Sequence, residues 1–502
     1  MPYMNPVIPG FYPDPSVCRV GTDYYLVTSS FEYFPGVPVF HSRDLVHWRQ
    51  IGYCLTRDSQ LPLRGVSSSA GIYAPALRYH AGTFYMVTTN VAGGGHFYVK
   101  AQDPAGPWSE PLWIEGPWFD PDLFFDDDGK VYFSRMNMGH GIYQREIDLA
   151  TGQLLGPERI IWPGFEDRFC EAPHIYKLNG LYYLVVAEGG THRSHMIVAA
   201  RSTAATGPYE GCPYNPLLTH RCAIGQPIEH TGHGDLIQAH DGSWWMVFLA
   251  VRTHEGRFHL GRETFLAPVT WTADGWPLIN RGELVKLQMD VPTLPLRPWP
   301  ASPARDDFDG GELGLPWNFR RNPDPETWSL TERPGWLRLK GNACGLQDAE
   351  PLAFIGRRQQ HIRCVARARL EFGAATEAEE AGLTVLMNEE HHYEIVRTLR
   401  GGRQAVVVRK QVGDLTIEVA NVAWQAASIV LEIRADQDLY TLSYGEDERS
   451  LAPLAMGRVR YLTQQVADGF TGVYLGMYAT GNGRPCEQPA DFDWFDYREG
   501  QR

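Results

Sequence analysis

Five residues of kinds that do chemistry stand at matched points of this chain: Asp14 in FYPDPSV, Tyr73 in GIYAPAL, Asp120 in WFDPDLF, Glu171 in FCEAPHI and His233 in TGHGDLI. The last four each precede a turn glycine by nine residues; Asp14 precedes Gly21 by seven, its connection being shorter. Their neighbours are mostly Phe, Leu, Ile, Pro and Val, a setting in which an unpartnered carboxylate is costly. Three such acids at equivalent positions therefore imply a use. Two carboxyl groups flanking a scissile bond are the minimum for glycoside hydrolysis, one protonating the leaving oxygen while the other attacks or activates water. A third acid nearby keeps one of them protonated, because like charges a few ångströms apart do not all ionise. A separation of roughly 6.5 to 9.5 Å between acid and base would admit a water and invert the anomeric centre.

The elements that must position these groups are legible as a repeat. One turn-and-strand phrase occurs five times, RVGTDYYLVTS, YHAGTFYMVTT, DDDGKVYFSRM, KLNGLYYLVVA and AHDGSWWMVFL, with its glycines spaced by 61, 47, 51 and 62 residues. Each phrase has the pattern of a hairpin feeding a buried strand. A second, more polar hairpin follows each, as in VFHSRDLVHWRQIG and IYQREIDLATGQLLGPERI. Two hairpins per repeat, Pro/Gly-rich connections and little helical periodicity argue for an all-β chain that starts with a five-bladed β-propeller over residues 1–290. A single long β-sandwich would not produce matched phrases at that step. In a propeller the first strand of each blade lines a central channel, so the five residues converge.

A proline-rich stretch over 291–304 reads as an extended linker. From 305 to 502 the phrases change to HIRCVARARLEF, AGLTVLMNEEHHYEIV and GVYLGMYAT, alternating strands that describe an antiparallel β-sandwich. The chain carries 45 basic and 59 acidic residues, net charge −14, with no basic block, which disfavours nucleic acid and anionic membranes as partners. No apolar run approaches the roughly 20 residues of a membrane span, and MPYMNPVIPGFYPDP lacks the regions of a signal peptide. Eight scattered cysteines suit free thiols in a reducing compartment, so a cytoplasmic setting is expected. Composition leaves the oligomeric state open.

PGFYPDPSVCRVGTDYYLVTSSFEYFPG, FDPDLFFDDDG, CEAPHIYKLNGLYYLVVAEGGT, TGHGDLI and HLGRETF closely resemble glycoside hydrolase family 43, the β-xylosidase and α-L-arabinofuranosidase group. The resemblance implies an inverting hydrolase with Asp14 as general base, Asp120 as the group that modulates the acid's pKa and orients it, and Glu171 as general acid. It also implies that Arg262 of GRET contacts substrate, that Phe31 forms an aromatic wall, and that His233 organises the channel through water or a bound calcium. No cofactor is required for this chemistry. The sequence departs from the family pattern at Ala172 for Gly, Asp122 for Ser, Gly234 for Ala and Tyr73 for Trp; the change at Tyr73 alters a pocket wall that bears on sugar preference. Asp122 falls on the same strand face as Asp120, deeper in the channel, where hydrogen bonding to backbone is expected. Asp126, Asp127 and Asp128 read as a solvated turn, His174 as structural, and His192 as a residue near the rim. The C-terminal part resembles the concanavalin-like jelly roll of long family members, from which Phe470 is the candidate for closing the pocket.

The expected activity is exo-cleavage of terminal xylose from xylo-oligosaccharides or arabinoxylo-oligosaccharides, with α-L-arabinofuranosidase activity alongside it. One alternative makes arabinofuranose the main product. Another, of a different class, is a non-catalytic sugar-binding propeller.

Overall fold

The computed structural model describes residues 2–166, 168–290 and 293–500. Val291 and Pro292, where the expected linker begins, lie outside the described residues, as do residue 1 and residues 501–502 at the ends of the two expected domains.

Each repeat folds into its own antiparallel sheet with strands in sequence order. In the first, Ser16–Val20, Asp23–Val27, Gly36–Ser42 and Trp48–Leu55 pair in succession. The next four sheets open with Ala76–His80, Asp122–Phe125, Glu171–Leu178 and Ile228–Gln238. The fourth carries an extra short strand, Leu218–Thr219, paired with Met196–Ser202. Repetition reaches the backbone: Gly21, Gly82, Gly129, Gly180 and Gly242 all turn with φ between 64° and 87°. A Cβ at any of them would meet nothing within 4 Å, so the left-handed turn conformation, and not crowding, calls for glycine there.

The N-terminal segment is bound onto the fifth sheet. Pro2–Met4 pairs with Gln288–Asp290, the Tyr3 hydroxyl donates to the Leu266 carbonyl at 2.7 Å, and the Asn5 side chain bridges the N–H and C=O of Leu266. Val7, Ile8 and Tyr12 share one apolar core with Trp245, Phe248 and Phe265. The Tyr12 N–H then donates to the Arg262 carbonyl at 3.2 Å, which carries Asp14 to the fifth sheet before the chain enters the first.

Beyond residue 304, two antiparallel sheets, one centred on Cys364–Glu371 and Ala490–Glu499 and the other on Glu380–Asn388 and Tyr474–Thr480, face one another across a common core that includes Ala368, Leu383, Leu431 and Phe492. This is the β-sandwich. The residues before it are extended but tethered: the Arg297 N–H donates to Asp44, and the Trp299 ring lies under the guanidinium groups of Arg43 and Arg49 at 4.0 and 4.2 Å. They act as a strap over the first sheet.

Sandwich and sheets are joined by continuous packing. Tyr33–Phe34, from SSFEYFPG, pairs with Phe319–Arg320, and the Tyr33 ring stacks on Tyr474 at 3.8 Å. Arg320 and Arg321 both pair with Glu389 beside the buried Glu32. Closest of all is the approach of Gly472 to the segment before Arg262, where a Cβ would stand 2.3 Å from the Leu260 carbonyl oxygen. Gly472→Ala is therefore expected to push the two segments apart and destabilise the protein by about 1–3 kcal/mol, seen as a lower melting temperature, whereas Gly21→Ala should act only through its turn conformation.

Candidate active site

The eight sequence-predicted residues, Asp14, Phe31, Tyr73, Asp120, Glu171, His233, Arg262 and Phe470, all line one cavity of about 180 Å³. The positions picked out by the repeat come from the five sheets in turn. They do not sit as plain strand residues. Asp14, Tyr73 and Asp120 lie on the connections just ahead of their strands, and Glu171 is the first residue of its strand. Asp14, Asp120 and His233 have φ of 55°, 56° and 49°, the left-handed region. At Glu171 that conformation moves one residue on, to Ala172 with φ 52°, where the family pattern has glycine. Each such non-glycine residue costs about 1–2 kcal/mol, a strain that persists where surrounding structure holds it and that concentrates at sites of function.

One guanidinium organises the carboxylates. Arg262, only 6% exposed, donates from Nη1 to Asp14 Oδ1 at 2.8 Å; it is a buried site residue and not a surface ion-pair partner. The Ser29 hydroxyl donates to Asp14 Oδ2 at 2.5 Å, and His233 Nδ1 lies 3.7 Å from Oδ1. Burial pushes Glu171 up to about 8, with the charge of Asp14 adding and Arg262 opposing. Asp120 and Glu171 also raise one another, because like charges so close do not both ionise easily. Asp120 is itself held well above the carboxylate range by burial and by Glu171 and Asp14, against Arg262 and a backbone hydrogen bond from Ala74. His233 is pulled down to about 4 by burial, so it is neutral near pH 7.

The walls are aromatic. Phe31 stacks on Phe470 with centroids 6.0 Å apart, Tyr73 lies 5.3 Å from Phe31, and the Arg262 guanidinium sits 5.7 Å from both phenylalanine rings. Phe470 comes from the sandwich, its N–H donating to the Ser69 hydroxyl at 2.8 Å. His192 lines the cavity, as its expected place near the rim requires. Phe119, Phe169 and His195 line it too and escaped sequence reasoning. The first two stand directly beside Asp120 and near Glu171 in sequence, a signal that was available.

Beneath the cavity lies a polar layer that the repeat could also have revealed. Asp122 does not bond to backbone: Arg78 Nη2 donates to its Oδ2 and to His174 Nδ1, each at 2.8 Å. Arg78 Nη1 lies 3.4 Å from Asp235, which also accepts from Tyr176 and from Ser16. The five sheets each supply a member. Ser16, Asp122 and Asp235 stand two residues after Asp14, Asp120 and His233, where the chain continues as regular strand below the left-handed entry residues. These residues do not fit a calcium cage near His233, because the fixed positive charges among the carboxylates are those of Arg78 and Arg262. Among the described residues no cluster of three or more His, Cys, Asp or Glu is arranged to hold a metal ion. Asp126, in the acidic turn, is tied to Lys177 and Tyr182 of the next sheet.

The model for glycosyl hydrolases family 43 matches residues 3–277, and that for the beta-xylosidase C-terminal concanavalin A-like domain matches residues 305–498. The chain belongs to glycosyl hydrolase family 43. It is 45% identical to a non-reducing end alpha-L-arabinofuranosidase of Bacteroides ovatus, over 99% of this chain and 94% of that one, and 40% identical to a xylosidase/arabinosidase of Butyrivibrio fibrisolvens over 99% of both. The solved structure of the Bacteroides ovatus Xyloglucan PUL GH43B superposes with a TM-score of 0.97 at 45% identity over the full length of both chains. Membership makes this chain a glycoside hydrolase and sets aside the reading as a purely sugar-binding protein.

The raised Glu171 has a consequence for stability. Between the ordinary carboxyl range and about 8 the folded protein holds a proton that the unfolded chain has released, so stability falls as pH rises through that window. Glu171→Gln, which cannot ionise, is expected to melt higher than the parent at pH 8.5 and to lose that advantage near pH 5, as read by calorimetry across pH.

Proposed function

We propose that this chain is an inverting, exo-acting glycosidase that removes terminal pentose units, with β-D-xylosidase activity on xylo-oligosaccharides and α-L-arabinofuranosidase activity in the same pocket. The observation that carries this is the gathering of Asp14, Asp120 and Glu171 around Arg262 in a cavity with one sandwich residue, Phe470, in its wall. At about 180 Å³ the cavity falls below the roughly 300–1,000 Å³ of ordinary small-molecule sites, which suits one sugar ring and not a polymer threaded through. We read the five successive sheets as blades of a propeller. What supports this is the convergence of their entry residues on one cavity and the pairing of the N-terminal strand with Gln288–Asp290 after the fifth sheet.

In this reading Glu171 enters the reaction protonated and gives its proton to the glycosidic oxygen as the C–O bond breaks. Asp14, oriented by Arg262 and Ser29, takes a proton from the water that attacks the anomeric carbon from the opposite face. Asp120, whose charge acts on Glu171, modulates and orients the acid, and Phe31, Tyr73 and Phe470 offer the sugar an aromatic wall. The Bacteroides ovatus relative, named as an arabinofuranosidase, favours a second reading in which arabinofuranose is the main product. Turnover of p-nitrophenyl β-D-xyloside and α-L-arabinofuranoside separates the two, since negligible xyloside activity rejects the first.

Glu171→Gln is expected to lose hydrolysis of unactivated substrates by about 10²–10⁴-fold and to recover partly with an activated leaving group, while Asp14→Asn should show no such recovery. Proton NMR should find the α-anomer of xylose first from a β-xyloside. The β-anomer appearing first would reject inversion. With Glu171 at about 8, kcat/KM should decline as pH rises through that value.

A further inference from the structure

His195 lines the active cavity, is 1% exposed at its side chain, and has no part in the mechanism above. Its ring contacts define its proton. Nδ1 stands 3.2 Å from the carbonyl oxygen of His230, which can only accept, so Nδ1 carries the N–H. Burial, with His233 and Arg262 nearby, keeps the ring neutral, and Nε2 is left with a lone pair. Nε2 has no hydrogen-bond partner among the described residues, and it faces Glu171 Oε1 at 4.0 Å.

A lone pair facing a carboxylate in a buried site is repulsive; a proton on that oxygen makes the same contact attractive. We propose that His195 is a positioning residue whose Nε2 accepts a hydrogen bond from the protonated Glu171 carboxyl in the resting enzyme and so orients the acidic O–H at the cavity wall. This rests on Glu171 being the general acid. A movement of about 1 Å by either side chain brings the pair to hydrogen-bond distance. When substrate enters, the glycosidic oxygen takes the place of Nε2 as acceptor. The proton passes from Glu171 to that oxygen as the C–O bond breaks, and His195 neither gains nor loses one.

The ring is held where this requires. A Cβ on Gly232 would lie 2.3–2.4 Å from three ring atoms of His195, so the imidazole lies against bare backbone one residue before His233. The Thr219 hydroxyl donates to the His195 carbonyl at 2.9 Å. The first glycine of TGHGDLI thus has a place in the site. The other ionisable groups acting on the pair are Asp14, Asp120, Tyr73 and Arg262 around Glu171, and His230, His233 and Arg262 around His195.

The test compares His195→Phe, which keeps a flat ring without an acceptor, with His195→Gln, whose amide oxygen can accept, on phenyl and 2,4-dinitrophenyl pentosides. His195→Phe is expected to lose about tenfold or more in kcat/KM on the phenyl substrate and far less on the dinitrophenyl one, where little protonation is needed. Its basic pH limb should move to lower pH, because the acceptor no longer favours the protonated acid. His195→Gln should restore the limb toward that of the parent. Equal losses on both substrates, or an unmoved limb, would overturn the proposal. If His195→Phe does not fold, infrared difference spectra of the parent and His195→Gln decide: the C=O band that vanishes in Glu171→Gln must lie at a hydrogen-bonded frequency in the parent, and a free-acid frequency overturns it. Parent-like activity of Glu171→Gln on the phenyl substrate would instead reject the acid assignment itself.

Discussion

The buried contact between Arg262 and Asp14 is the interaction on which the remainder of the site depends. It joins the segment ahead of the first sheet to the fifth sheet, and it supplies positive charge to a cavity that holds three carboxyl groups. Without that charge, burying the three would carry a penalty that their mutual repulsion increases. With it, the charge is uneven: Arg262 bonds directly to Asp14, while Asp120 and Glu171, which receive no guanidinium hydrogen bond among the described residues, are pushed toward their protonated forms. The asymmetry that separates a proposed base from a proposed acid is therefore a matter of which carboxylate the arginine reaches.

Arg78 repeats this arrangement one layer down. It neutralises Asp122 and Asp235 and ties the second, third, fourth and fifth sheets together beneath the cavity. Within this layer Asp235 accepts from Ser16, Tyr176 and Arg78, while Asp122 Oδ1 and His174 Nε2 have no hydrogen-bond partner among the described residues. The entry residues pay for their direction in backbone strain, with left-handed conformations at Asp14, Asp120, Ala172 and His233.

The sandwich belongs to the site through packing. Phe31, which lines the cavity, is followed at once by Glu32, Tyr33 and Phe34, which enter the interface, and the close approach of Gly472 to Leu260 couples Phe470 to the chain that carries Arg262. Moving the sandwich would displace both faces of the aromatic wall.

Local pattern was enough for much of this. The turn glycines and the alternation of apolar residues marked the five sheets, because hairpin conformation and strand burial are short-range demands that sequence must meet directly. Counting from those glycines also singled out Asp14, Tyr73, Asp120, Glu171 and His233, since equivalent positions in a repeat occupy equivalent places. Asp122 was misread because its partner, Arg78, lies 44 residues away on another sheet. His195 carries no repeat signal at all, and its meaning comes from the lone pair left by a bond to His230 and from the carboxyl it then faces. The sequence by itself determined which residues recur and which face each strand buries. Only the tertiary structure decided which carboxylate meets the arginine and where the protons sit, because those depend on distances between chain segments that no local spacing encodes.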